Sequence, residues 1–183
     1  PLRQARLERE QMVCPGTASA WGSMEGAVRN LVSKGVLNCM KGAFSDKWLD
    51  VSKRCGKEAE ALQVDWGSPI LPEQIDERLA TGRFDAVTLV HNETSTGVLN
   101  PVAAVRAAID RAGSDALLLV DTVSSLGAVD YRHDEWDIDI TVTGSQKGLM
   151  LPPGPGSHAI GPRAPAAAAP ARWFRSPRGW GPP

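Results

Sequence analysis

The chain has 183 residues, 42% hydrophobic and 22% charged, a composition that suits one good-sized soluble core, or one domain plus an extension. A net charge of -1 gives no basis for a nucleic-acid or acidic-membrane partner. No apolar run reaches the length of a membrane span, and the charged start PLRQARLERE is unlike a secretory signal. Cys14, Cys39 and Cys55 form no CxxC pair and are odd in number, which points to reduced core thiols and a cytoplasmic setting rather than a disulfide framework. His91, His133 and His158 are scattered, and no spacing suggests a metal site.

Residues 1–14 form a polar, helix-compatible N-terminal segment without a motif. In ASAWGSMEGAVRNLV, Met24, Ala27, Val28 and Leu31 recur at helical spacing, so a helix is expected from about Trp21 or Gly22. KGVLNCM is a short apolar run bounded by glycines and reads as a strand. FSDKWLDVSKRCG puts Phe44, Trp48 and Val51 on one helical stripe and ends at Gly56, a natural C-cap. EALQVDWG alternates as a strand does, and LPEQIDERLATG is a helix with Pro at its start and Gly at its end. FDAVTLVHNE and DALLLVDTVSS are near-continuous apolar runs, as expected of strands buried on both faces. Between them NPVAAVRAAIDRAG reads as an amphipathic crossover helix closed by Gly113, and WDIDITVTGSQK is a further strand. HDEWDID, just before and into that strand, reads as a solvated acidic loop. From Leu151 onward there are nine of the fourteen prolines, four arginines and no acidic residue, so residues 163–183 read as an irregular tail.

Strands alternating with helices predict an α/β fold, a mostly parallel sheet with helices on both faces. The carboxyl ends of its strands share one rim, where open sheets of this kind bind ligands. That rim collects HNETSTG (91–97), DTVSS (121–125) and GSQK (144–147), and the loop before the first helix can reach it. A helix N-terminus with small residues before it binds phosphate through free N–H groups. A carboxylate at a strand end can hold a protonated ring nitrogen, and a lysine can form a Schiff base with an aldehyde. Lys147 has no carboxylate nearer in sequence than Asp139, which suits an amine that must lose a proton.

HNETSTGVLNP, LLLVDTVSSLGAVD and GSQKGLMLPPG, in this order, closely resemble the class V aminotransferases, and among them the alanine/serine–glyoxylate group of fold type I. The resemblance runs from about Gly16 to Gly154 and makes residues 15–162 part of a pyridoxal 5′-phosphate-binding large domain. It implies that Lys147 is the Schiff-base lysine and proton shuttle, and that Asp121 pairs with the pyridine nitrogen. By the same resemblance Thr94 lies near the cofactor's phenolic oxygen, and Val123 and Phe44 pack on opposite faces of the ring. Ser19, Ala20 and Trp21 match the phosphate-cradling turn, with Gln146 adding a phosphate contact. That turn departs from the family's glycine-rich form, having Ala20 and Trp21 where Gly and a small residue are common. The implied partners are small amino-acid and 2-oxoacid substrates: alanine or serine as donor, glyoxylate or a similar oxoacid as acceptor. The family is homodimeric and completes its phosphate site from the partner through a segment not found here, which argues against dimerisation of this chain.

Each residue also has a plainer reading. Lys147 can be a surface lysine, Asp121 a helix N-cap, Thr94 a stabiliser of its own turn, and Phe44 core packing beside Trp48. Phosphoserine-type transamination fits the same motifs. Cysteine desulfurases share the fold but usually carry histidine where Gln146 stands, and a dehydrogenase lacks its GxGxxG here. The family's small C-terminal domain, with the arginine that grips the substrate carboxylate, has no counterpart after LPPGPGSHAIGP, where Pro155 is unwelcome in the expected strand. An inactive, truncated cofactor-binding fragment is therefore the alternative expectation.

Overall fold

A computed structural model describes residues 12–16 and 19–168. In chain order the elements are β1 (Met12–Pro15), α1 (Ala20–Leu31), β2 (Gly35–Met40), α2 (Ala43–Arg54), β3 (Glu58–Gln63), α3 (Pro72–Leu79), β4 (Ala86–Val90) and β5 (Asn92–Glu93). They continue with β6 (Val98–Leu99), α4 (Val102–Arg111), β7 (Leu117–Asp121), β8 (Ile140–Gly144), β9 (Gly156–Ile160) and α5 (Ala164–Ala168). The helices expected from periodicity and glycine punctuation are present. Gly56 and Gly113, at φ +71° and +60°, each follow a helix C-cap in the left-handed region, which glycine adopts without a Cβ penalty. In both places the next two N–H groups turn back onto the helix's last carbonyls, Gly56 to Lys53 and Lys57 to Ser52, Gly113 to Asp110 and Ser114 to Ile109.

Seven strands form one sheet in the order β1-β9-β8-β7-β4-β2-β3, and β5 and β6 form a separate hairpin. The run β3-β2-β4-β7-β8 is parallel, while β9 is antiparallel to β8 and β1 antiparallel to β9. Every residue of β4, β7 and β8 is buried, because the strands are covered on both faces. Leu118 and Val120 pack with Ile75, Leu79, Val105 and Ile109 of α3 and α4. Leu117, Leu119 and Val142 pack on the other face with Ala27, Val28, Trp48 and Val51 of α1 and α2. Cys39 and Cys55 are buried free thiols, as expected.

Four expectations need correction. Met12–Cys14, read as helix-compatible, lie in a strand that pairs with β9, a partner almost 150 residues away in sequence (Met12 with Ile160) that local pattern cannot reveal. The strand after LPPG does form: Pro155 stands just before Gly156, outside the ladder, where its missing N–H costs nothing. Ala164–Ala168, placed in the irregular tail, are helical, and the rest of that tail (169–183) lies outside the described residues. HDEWDID is only partly solvated, since Asp139 is 1% exposed. Its carboxylate accepts Leu118 N–H at 2.7 Å, Arg163 Nε and Nη2 at 2.9 and 2.8 Å, and Arg106 Nη1 at 3.4 Å. Buried Arg106 brings α4, and Arg163 the approach to α5, onto the start of β8 through this one acid.

Candidate functional site

The rim is built by strand adjacency. Val90, Asp121 and Val142 are register partners across β4, β7 and β8, so the segments that follow these strands leave the sheet side by side. Asp121 ends β7 at 4% exposure, and its carboxylate accepts one hydrogen bond among the described residues, 2.8 Å from Val123 N–H to Oδ1. Burial pushes its pKa up to about 6, against the pull of the Val123 N–H and of the buried Trp48 indole N–H. Apart from this pull on Asp121, the indole N–H has no hydrogen-bond partner among the described residues. The N-cap reading of Asp121 thus survives only as the bond to Val123, in a turn and not a helix.

Lys147 lies in the turn after β8. It is exposed, and its ammonium makes no hydrogen bond or ion pair with any described residue. Gln146 folds back over Gly144, where a Cβ would meet Gln146 Oε1 at 3.0 Å and Ala20 Cβ at 3.7 Å. Ala20 opens α1, so the N-terminus of α1 abuts the end of β8. Ser19, the exposed N-cap, makes no side-chain cap, and the first turn carries no acid. Among the described residues no side chain caps the leading N–H groups of α1, an arrangement that suits an anion.

Phe44 is 42% exposed, not part of the buried stripe that Trp48 and Val51 form, because the first turn of α2 overhangs the rim. The core-packing reading of Phe44 is thereby set aside. Trp21 is 37% exposed, and the Lys47 ammonium stands 4.7 Å from its ring centroid and 5.7 Å from that of Phe44. Thr94 is exposed in the turn between β5 and β6 and, unlike Ser95 and Thr96, makes no side-chain hydrogen bond among the described residues. Val123 is half-buried beside Asp121. The structure thus brings together Asp121 with Val123, Ala20 with Gln146, and Trp21 and Phe44 on the Lys47 ammonium, and leaves Thr94 and Lys147 at the same rim with side chains that bond to no described residue.

Two charged residues of the rim are not among those picked out by sequence. Glu93, fully buried, accepts Ser45 N–H at 2.9 Å and Ser95 Oγ–H at 2.6 Å, with Phe44 and Ser95 N–H at 3.3 Å. Burial pushes its pKa up, but these hydrogen bonds together outweigh it and hold the carboxyl below the usual range. Lys41, 1% exposed, donates to Val98 O at 2.9 Å, and burial lowers its pKa to about 8. The signal available was weak: Glu93 stands inside HNETSTG among small polar residues, where an acid reads as solvated loop. A separate groove lined by Gln63, Trp66, Leu71 and Gln74 lies at the carboxyl end of edge strand β3 and includes none of these residues.

The family model for class-V aminotransferases matches residues 41–170. The chain belongs to that family. It is 44% identical over 156 residues to a serine–glyoxylate aminotransferase of Methylorubrum extorquens, an alignment covering 82% of this chain and 39% of that protein. It is 43% identical over 160 residues to an L-aspartate–glyoxylate aminotransferase of Paracoccus denitrificans, covering 85% and 40%. Among solved structures, an alanine–glyoxylate aminotransferase from Nostoc sp. superposes with a TM-score of 0.83 at 31% identity, over 96% of this chain and 46% of that one. The chain spans about two fifths of the length of the curated relatives it matches.

The residues of this class-V chain fit the family's cofactor on their own chemistry. Among the described residues the buried Asp121 carboxylate has no cationic partner and accepts one hydrogen bond, which suits a proton-bearing ligand; no described side chain caps the start of α1, which suits a phosphate; and Lys147 offers an amine without a described partner.

Proposed function

We propose that residues 15–162 are the pyridoxal 5′-phosphate-binding part of an aminotransferase that moves an amino group from alanine or serine to glyoxylate or a similar 2-oxoacid. The observation that carries this reading is the placement of Asp121 and Lys147 at the carboxyl ends of adjacent parallel strands, with the uncapped N-terminus of α1 against the end of the second. Glyoxylate stands in the names of the three relatives described above, which supports it as acceptor. A cytoplasmic setting belongs to the same reading, on the free buried thiols of Cys39 and Cys55.

The cofactor, when bound, supplies an aldehyde that condenses with amines and a ring that draws off negative charge. Asp121, buried and short of donors, would hold a proton-bearing ring nitrogen and keep that proton in place. The N–H groups of Ala20 and Trp21, with Gln146, would hold the phosphate. Phe44 and Val123 would supply apolar surface to the ring, and Thr94 a hydroxyl. Lys147, whose side chain makes no hydrogen bond or ion pair with any described residue, would be the group that carries a proton to and from the substrate's α-carbon.

The test is to mix the purified chain with pyridoxal phosphate, reduce with borohydride and map the pyridoxyl adduct by peptide mass. Labelling confined to Lys147 and lost in Lys147→Ala is expected. Scattered or absent labelling refutes the reading.

A further inference from the structure

Glu93 does more than its own strand requires. The first N–H groups of a helix need acceptors, usually supplied by a side chain one residue before it. At that position α2 has Gly42, which has none to give. The acceptors come from the β5–β6 hairpin instead: Ser95 Oγ takes Ala43 N–H at 3.0 Å, and Glu93 takes Phe44 and Ser45 N–H. A Cβ on Gly42 would stand 2.6 Å from Glu93 Cγ and 2.6 Å from Ser95 Oγ, so the glycine vacates the space that the remote cap fills. The hairpin is itself tied down on its other sides. Lys41, at the end of β2, donates to Val98 O, and Asn92 and Ser124 exchange two hydrogen bonds of 3.0 Å that fix β5 to the loop following Asp121.

We propose that Glu93 is a positioning residue: by capping α2 from the hairpin, it sets Phe44 and Thr94 relative to each other, so that both meet the cofactor as one preformed unit. This rests on the pyridoxal phosphate reading above. Phe44 is the second residue of the capped helix and Thr94 is the chain neighbour of Glu93, so one buried carboxylate controls the spacing of two groups 50 residues apart in sequence. A local cap would have satisfied α2 equally well but would have left the two groups independent. The negative charge also lies at the positive end of the α2 dipole, which favours the capped arrangement.

The experiment titrates the 183-residue chain, and its Glu93→Ala, Glu93→Gln and Ser95→Ala variants, with pyridoxal phosphate. It reads the dissociation constant, the absorption maximum of the cofactor held on Lys147, and amide hydrogen exchange at Phe44 and Ser45. Displacing groups that grip a ligand by about 1 Å costs up to about 100-fold in function. Glu93→Ala is therefore expected to weaken binding about tenfold or more and to move the absorption maximum. Glu93→Gln and Ser95→Ala, each keeping part of the cap, fall between it and the parent and carry the test if Glu93→Ala does not fold. Faster exchange at Phe44 and Ser45 should accompany the weaker binding. A lower melting temperature with parental affinity and absorption maximum overturns the proposal, since Glu93 is then only a helix cap. Failure of the parent to label at Lys147 overturns the cofactor reading and this inference together, and parental labelling with unaltered variants overturns this inference alone.

Discussion

Asp121→Asn separates the cost of the site from its use. With no cofactor bound, the Asp121 carboxylate is buried without a cation, and its pKa rises from 3.8 to about 6. The folded chain therefore binds this proton more tightly than the unfolded chain does. Stability falls as pH rises from about 3.8 to about 6, and the full penalty stands above that range. The interval amounts to about 3 kcal/mol near pH 8 and about 1 kcal/mol near pH 4.5. Asparagine removes the charge, and its Oδ1 can still accept the Val123 N–H. Its new NH2 group lacks an acceptor, which costs about 1–2 kcal/mol at either pH. The variant should thus be more stable than the parent by about 1–2 kcal/mol near pH 8, and no more stable near pH 4.5. The difference between the two conditions, about 2 kcal/mol, does not depend on the amide cost. Urea unfolding of both proteins at the two pH values, without cofactor, reads it directly. A stability difference that is the same at both pH values, or that grows toward acid, would falsify the argument. Saturating pyridoxal phosphate should then reverse the order, since a ligand at 100 times its dissociation constant adds about 2.7 kcal/mol to a protein that binds it when folded.

Asp139→Ala leaves Arg106 buried with only the exposed Asp110 carboxylate, 2.5 Å away, to answer it. Breaking a buried ion pair from one side costs about 3–5 kcal/mol, so urea unfolding should show a loss of that order, and a loss below about 1 kcal/mol refutes the anchoring role given to Asp139. Gly148→Ala drives a Cβ into the Leu126 carbonyl oxygen, a backbone contact that neither the loop after Asp121 nor the Lys147 turn can relieve without moving. Overpacking of this kind costs about 1–3 kcal/mol. Labelling of Lys147 by pyridoxal phosphate and borohydride should fall with it, and unchanged stability with parental labelling would show that the two loops are not packed as described.

Much of the architecture was legible because it depends on short-range rules. Apolar residues at helical spacing produced α1 and α4, proline and glycine marked the ends of α3, and the unbroken apolar runs of β4 and β7 announced burial on both faces. Asp121 and Lys147 were legible as well, since in a parallel sheet any residue at the carboxyl end of a strand reaches the common rim. What the tertiary structure decided involves partners far apart in sequence. Met12–Pro15 became a strand only because β9 offered an open edge, and the acidic HDEWDID stretch turned inward only because Arg106 and Arg163 met Asp139. Phe44 shares a helical period with Trp48, yet it lies on the turn of α2 that projects past the sheet and so is exposed. The pKa of Asp121 and the remote cap from Glu93 have no local signature at all. Each is set by how much water the packed chain excludes and by which N–H groups it turns toward a carboxylate, and those are properties of the folded arrangement.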